Sequence, residues 1–193
     1  MKAVMLSVRP EWCEKIVSGR KTIELRKTKP KLELPFKCYI YCTLSGSKEF
    51  FVKSLRGNIA RWNREKWADK KGNVIGEFMC DAILSHCEMA NADLAQQMSR
   101  VRREKIREYS GGKEVFGWHI SDLFIYDTPK ELSEFCVEGD CNCMNCHKCG
   151  WFERGNGYNV EDDCGLVYEY MGSGKTLKPL FRPPQSWCYV EET

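Results

Sequence analysis

The chain has 193 residues, with 30 Lys+Arg against 27 Asp+Glu for a formal net charge of +3, 42% hydrophobic residues and 12% aromatics. That length suits one domain with a core of its own, and so many aromatics with so small a net charge exclude wholesale disorder. A mean hydropathy of -0.50, with no apolar run near the roughly 20 residues a bilayer needs, excludes a membrane span. The first six residues lack a secretory h-region, so the expected compartment is the cytoplasm.

Residues 2–8 alternate and read as a strand. Pro10 at a first helical position and Gly19 just past an end frame a short helix, whose apolar stripe is Trp12, Cys13, Ile16 and Val17. Residues 22–26 read as a second strand, 27–37 as a basic loop, and 38–43 as a third strand with Cys38 and Cys42 on one face. Residues 44–72, polar and basic with Trp62 and Trp67, read as an insertion. Then come a strand over 74–85, one helix over 91–109 with Leu94, Met98 and Val101 inward, and a strand over 115–127 interrupted at Gly117. Residues 136–180 form a second, Cys-rich insertion before an extended 186–190. Five or six strands with two helices, and no regular β-α-β alternation, predict a single α+β domain over 1–193 built on a small mixed barrel.

The 12 cysteines divide in two. Cys13, Cys38, Cys42, Cys80 and Cys87 sit among apolar residues and read as small core hydrophobes. Cys136, Cys141, Cys143, Cys146, Cys149 and Cys164 are dense, with C-x-x-C twice in register and Gly150 closing the second. A C-x-x-C followed by Gly is a zinc knuckle, whose turn aims backbone N–H groups at the sulfurs. Cys146 and Cys149 are the firmest pair, Cys141 and Cys164 complete a tetrahedral set, and Cys136, Cys143 and His147 are the substitutes. In a reducing compartment this reads as structural zinc supplying folding energy, against a disulfide cluster or loose thiols.

Chemistry concentrates elsewhere. If residues 22–26 are extended, Thr22, Glu24 and Arg26 share one face while Ile23 and Leu25 face the core, with Lys21 at the lip. Glu77 lies among Ile75, Phe78 and Met79 and requires a partner, which Lys21 or Arg26 supplies. These groups make a polar pocket for a hydrogen-bonding ring such as a nucleobase, or else an ion-pair network tying two strands together. Trp118, His119 and Ser186 stand as additional walls, although Trp118 and Trp187 also read as core. Arg100, Arg103 and Arg107, with Arg102 and Lys105, line one helix face and join Arg56, Arg61, Arg64 and Lys66 as a phosphate-tracking surface, or form a solvated face. The Gly172–Thr176 stretch imitates a phosphate-binding loop, but Glu169 stands where the first glycine is required, so it reads as a turn.

The run Gly19-Arg20-Lys21-Thr22-Ile23-Glu24-Leu25-Arg26 fits the pattern G-x-K-x-x-E-x-R, and Val74-Ile75-Gly76-Glu77-Phe78 follows as an acidic strand. In these features the chain resembles the ASCH family, over roughly residues 1–127 and the last dozen. The resemblance implies a PUA-like mixed β-barrel with two or more peripheral helices, here carrying the Cys-rich zinc-binding insertion. It implies binding of RNA or a modified nucleobase or nucleotide, with Lys21, Thr22, Glu24, Arg26 and Glu77 at the ligand. The family also includes small bacterial amidohydrolases that deacetylate N4-acetylcytidine with a Lys, a Thr and a Glu. Lys21 and Glu77 match the first and last, but Glu24 stands where those enzymes carry the Thr nucleophile. Thr22 keeps a hydroxyl about 6–7 Å away along the strand. An amidohydrolase using Lys21, Glu24 and Glu77 is therefore the alternative expectation, and a zinc-stabilised protein-interaction module the third.

Overall fold

The first strand, β1 (Ala3–Val8), divides its side chains between two cores: Val4, Leu6 and Val8 on one face, Ala3 and Met5 on the other. A period of two produces this wherever a strand is covered on both sides. The computed structural model describes residues 2–44, 72–85, 92–138, 168–169 and 176–192. After β1 come α1 (Pro10–Val17), β2 (Ile23–Arg26), β3 (Phe36–Cys42), β4 (Val74–Cys80) and β5 (Ile83–Leu84). They are followed by α2 (Ala92–Ser99), α3 (Arg103–Ser110), β6 (Phe116–His119), β7 (Ser121–Lys130) and a 3-10 turn (Leu132–Glu134). The chain closes with β8 (Phe135–Glu138), β9 (Tyr168–Glu169), β10 (Thr176–Pro179) and β11 (Trp187–Glu192).

Eight strands form one sheet in the order β7-β4-β3-β1-β11-β8-β10-β9, in which β1 and β3 are parallel and the other pairs antiparallel. The order β2-β6-β5 makes a second, antiparallel sheet. The main core lies between α1, the small sheet and one face of the large one: Cys38, Ile40, Cys42, Phe78 and Trp118 meet Cys13 and Ile16 there. Trp118 packs edge-on against Phe36 and tilted against Trp187, each at 5.7 Å between ring centroids. A second core under the opposite face gathers Met5, Tyr39, Tyr41, Tyr126 and Phe135, and a third places α2 on the back of β2 through Ile23, Leu25 and Ala95.

Two expectations are corrected here. The described strands form two sheets rather than a closed barrel; between β6 and β7 the chain passes from one sheet to the other, and Asp122, the second residue of β7, has φ 46°. The single helix expected over 91–109 is two, broken after Ser99. The helical bond from the Arg103 N–H to the Ser99 carbonyl is replaced at both ends: Ser99 O accepts from Lys21 Nζ at 2.9 Å, and the Arg103 N–H donates to Gln96 Oε1 at 3.1 Å.

Cys13, Cys38, Cys42 and Cys80 are buried free thiols, and burial pushes Cys80 up to about 12. The zinc set Cys141, Cys146, Cys149 and Cys164, its substitutes Cys143 and His147, and Cys87 lie outside the described residues, as do residues 45–71. Cys136 is buried within β8. Among the described residues no group of three or more His, Cys, Asp or Glu is placed to hold a metal, and no helix is long and apolar enough to cross a membrane.

Candidate functional site: a cation-rimmed cleft over a buried ion-pair triad

The alternation of β2 sends Ile23 and Leu25 to the α2 side and Glu24 and Arg26 to the side of Trp118, which stands directly opposite Glu24 in the β2–β6 register. Lys21 joins them from the turn before β2, a turn set by Gly19 at φ 68°. Glu24 is shared: its Oε2 lies 3.2 Å from Lys21 Nζ and its Oε1 3.1 Å from Arg26 Nη2, all three side chains being buried. Arg26 also donates from Nη1 to Ser186 O at 2.9 Å and Oγ at 3.2 Å, and from Nη2 to Ser7 O at 2.9 Å. The triad therefore ties β2 to β1 and to the start of β11. The Arg26 Nε is buried without a hydrogen-bond partner among the described residues. Burial lowers Lys21 below the ordinary lysine range, with Glu24 pulling it back up.

Above the triad opens a cleft of about 1040 Å³, walled by α1, α3 and the α2–α3 connection. Eight of its lining side chains are cationic and two, Glu24 and Glu108, acidic, in a chain whose net charge is only +3. The break between α2 and α3 decides which basic residues face it. Arg100, Arg102 and Lys105 line the cleft; Arg103 and Arg107 are not among its lining residues. Lys105 also pairs with Glu108 at 2.6 Å. Two aromatic rings complete the walls. Trp12 of α1 has Lys15 Nζ 4.2 Å over its ring, and Tyr109 of α3 has Lys27 Nζ 4.9 Å over its own.

The cleft brings together Lys21, Glu24, Arg26 and Ser186 of the residues singled out in the sequence. Thr22 stands beside it, its backbone engaged with Met98 and Ile120. Trp118 is fully buried in the main core. His119 lies on the other face of its strand, opposite Ile23, with Nδ1 2.6 Å from Asp81 Oδ1. Glu77 pairs with Lys37 at 2.9 Å and accepts from Tyr126 Oη at 2.6 Å, rather than meeting Lys21 or Arg26. The reason is strand parity: register shifts flank Gly76, so Ile75 and Phe78 share the main core while Glu77 stands opposite Tyr39 over the second. Burial pushes the Glu77 carboxyl up, but hydrogen bonds from Tyr126 and Lys37 hold it below the ordinary value. Trp12 and Tyr109 were missed as walls, because a tryptophan in an apolar helical stripe carries the same signal whether it packs or recognises.

Residues 6–42 match the family model of the ASCH domain. The fold is similar to a crystal structure of ASCH from Zymomonas mobilis, at 16% identity and a TM-score of 0.52, covering 98% of this chain and 87% of that one. It is equally similar to a crystal structure of a ZmASCH mutant protein from Zymomonas mobilis, at 16% identity and 0.52, covering 98% and 88%. No curated protein matches the sequence. The resemblance to the ASCH family is shown by segment and by fold.

Proposed function

With the ASCH domain as premise, we propose that the chain binds RNA in the cleft above Lys21, Glu24 and Arg26. ASCH domains are generally RNA-binding, and this chain's own geometry supports the reading. The observation that carries it is the concentration of cations around one cleft, at odds with the near-neutral chain. Phosphates supply most of the affinity of a nucleic-acid complex, and aromatic rings add about 1–3 kcal/mol for each stacked base. Trp12 and Tyr109 offer those rings. Fluorescence anisotropy with a labelled single-stranded RNA of about ten nucleotides tests it. Arg102→Glu with Lys105→Glu is expected to weaken binding at least about tenfold and to flatten its salt dependence; unchanged affinity places the RNA elsewhere.

One observation favours a second reading, an amidohydrolase acting on N4-acylated cytidine: burial holds Lys21 toward its neutral, nucleophilic amine. Glu24 would then handle protons in place of Glu77, which stands over the other core. Turnover of N4-acetylcytidine that disappears in Lys21→Ala supports this reading, and no turnover in the unaltered protein removes it.

A further inference from the structure

Arg100 ends α2 with φ at 57°, the left-handed region where a Cβ crowds the following carbonyl and where helices ordinarily place glycine. The next helix does so: α3 ends at Gly111 with the same φ of 57°. The two ends differ in what they face. Arg100 lines the cleft, and Gly111 is not among its lining residues. Arg100 Nε donates to Arg20 O at 2.6 Å, which pins the guanidinium to the turn carrying Lys21. Among the described residues its two Nη groups make no ion pair. The neighbouring Ser99 carbonyl is held by Lys21, so the same turn fixes the backbone on which Arg100 sits.

Resting on the RNA reading above, we propose that Arg100 is a phosphate clamp. The strained backbone is retained because it sets the guanidinium at the rim, where both Nη groups grip one phosphate of the bound strand. A glycine there relaxes the backbone and loses the clamp, whereas alanine loses the clamp and keeps the strain.

The test compares Arg100→Gly, Arg100→Ala and Arg100→Lys in the full chain, by thermal melting and by titration with single-stranded RNA at several salt concentrations. Arg100→Gly is expected to melt about 2–4 °C above Arg100→Ala, because both lose the bond to Arg20 O and only glycine relieves the backbone. It should weaken RNA binding about tenfold and lower the slope of log K against log salt by about 0.7. Arg100→Ala weakens binding equally, and Arg100→Lys restores the slope but not the full affinity. A Tm of Arg100→Gly no higher than that of Arg100→Ala overturns the strain argument. If Arg100→Gly binds with unchanged affinity and slope while Arg102→Glu with Lys105→Glu still weakens binding, the clamp falls and RNA binding in the cleft stands. No binding by the unaltered protein removes both.

Discussion

Glu24→Gln is the sharpest probe of how the site is held together. One carboxylate serves two buried cations, with Lys21 at 3.2 Å and Arg26 at 3.1 Å. At an effective dielectric of about 20, charges about 3 Å apart attract by about 5 kcal/mol, against which removing each ion from water costs several kcal/mol. Neutralising the shared partner leaves that cost uncompensated, so the loss should be about 3–5 kcal/mol, or roughly 10 °C in Tm for a chain of this size. Urea unfolding followed by circular dichroism reads it as a lower midpoint with an unchanged slope. Because Glu24 holds Lys21 up against its burial, the Lys21 amine should also titrate lower in the variant. Adding Lys21→Met should recover part of the loss, the sign of direct coupling. A loss under about 1 kcal/mol, with the Lys21 titration unmoved, would refute a triad held by a shared buried carboxylate.

Other positions make separate predictions. Glu77 is held below its ordinary value of 4.5, so it stabilises the fold above that pH and the contribution disappears as pH falls through its folded pKa; Glu77→Gln should flatten the acid limb of urea midpoint against pH, and an unaltered limb contradicts the Tyr126 and Lys37 bonds. At Gly76 a Cβ would land on the Phe124 carbonyl oxygen and 2.8 Å from Ile125 Cδ1. Gly76→Ala should therefore cost about 1–3 kcal/mol in the same unfolding assay, and a neutral result contradicts the close β4–β7 approach. For the Cys-rich segment, a structural site should give about one zinc per chain by plasma mass spectrometry. Less than about half that content contradicts the zinc reading of Cys141, Cys146, Cys149 and Cys164.

What the sequence made legible follows from local periodicity. The period of two over β2 placed Glu24 and Arg26 together and Ile23 and Leu25 on the other side, because parity within one short strand needs no tertiary knowledge. Pro10 likewise marked the start of α1. Parity did not carry through β4, where register shifts on both flanking strands turned Glu77 toward Lys37 and Tyr126. The break after Ser99 was also hidden, since the residues around it contain neither glycine nor proline. It is imposed by the Lys21 ammonium, 78 residues away in sequence, and by the Gln96 side chain. That break moved the cleft's cations from the expected 100/103/107 stripe to Arg100, Arg102 and Lys105.

RNA binding in the cleft is the central proposal, and photo-cross-linking tests it most directly. Single-stranded RNA carrying photoreactive bases is irradiated with the protein, and cross-linked peptides are mapped by mass spectrometry. The cleft predicts adducts on the peptides carrying Trp12, Tyr109 and Lys21. Adducts confined to β7 around the exposed Phe124 and to the Glu77 face of β4, with none in the cleft, would contradict it.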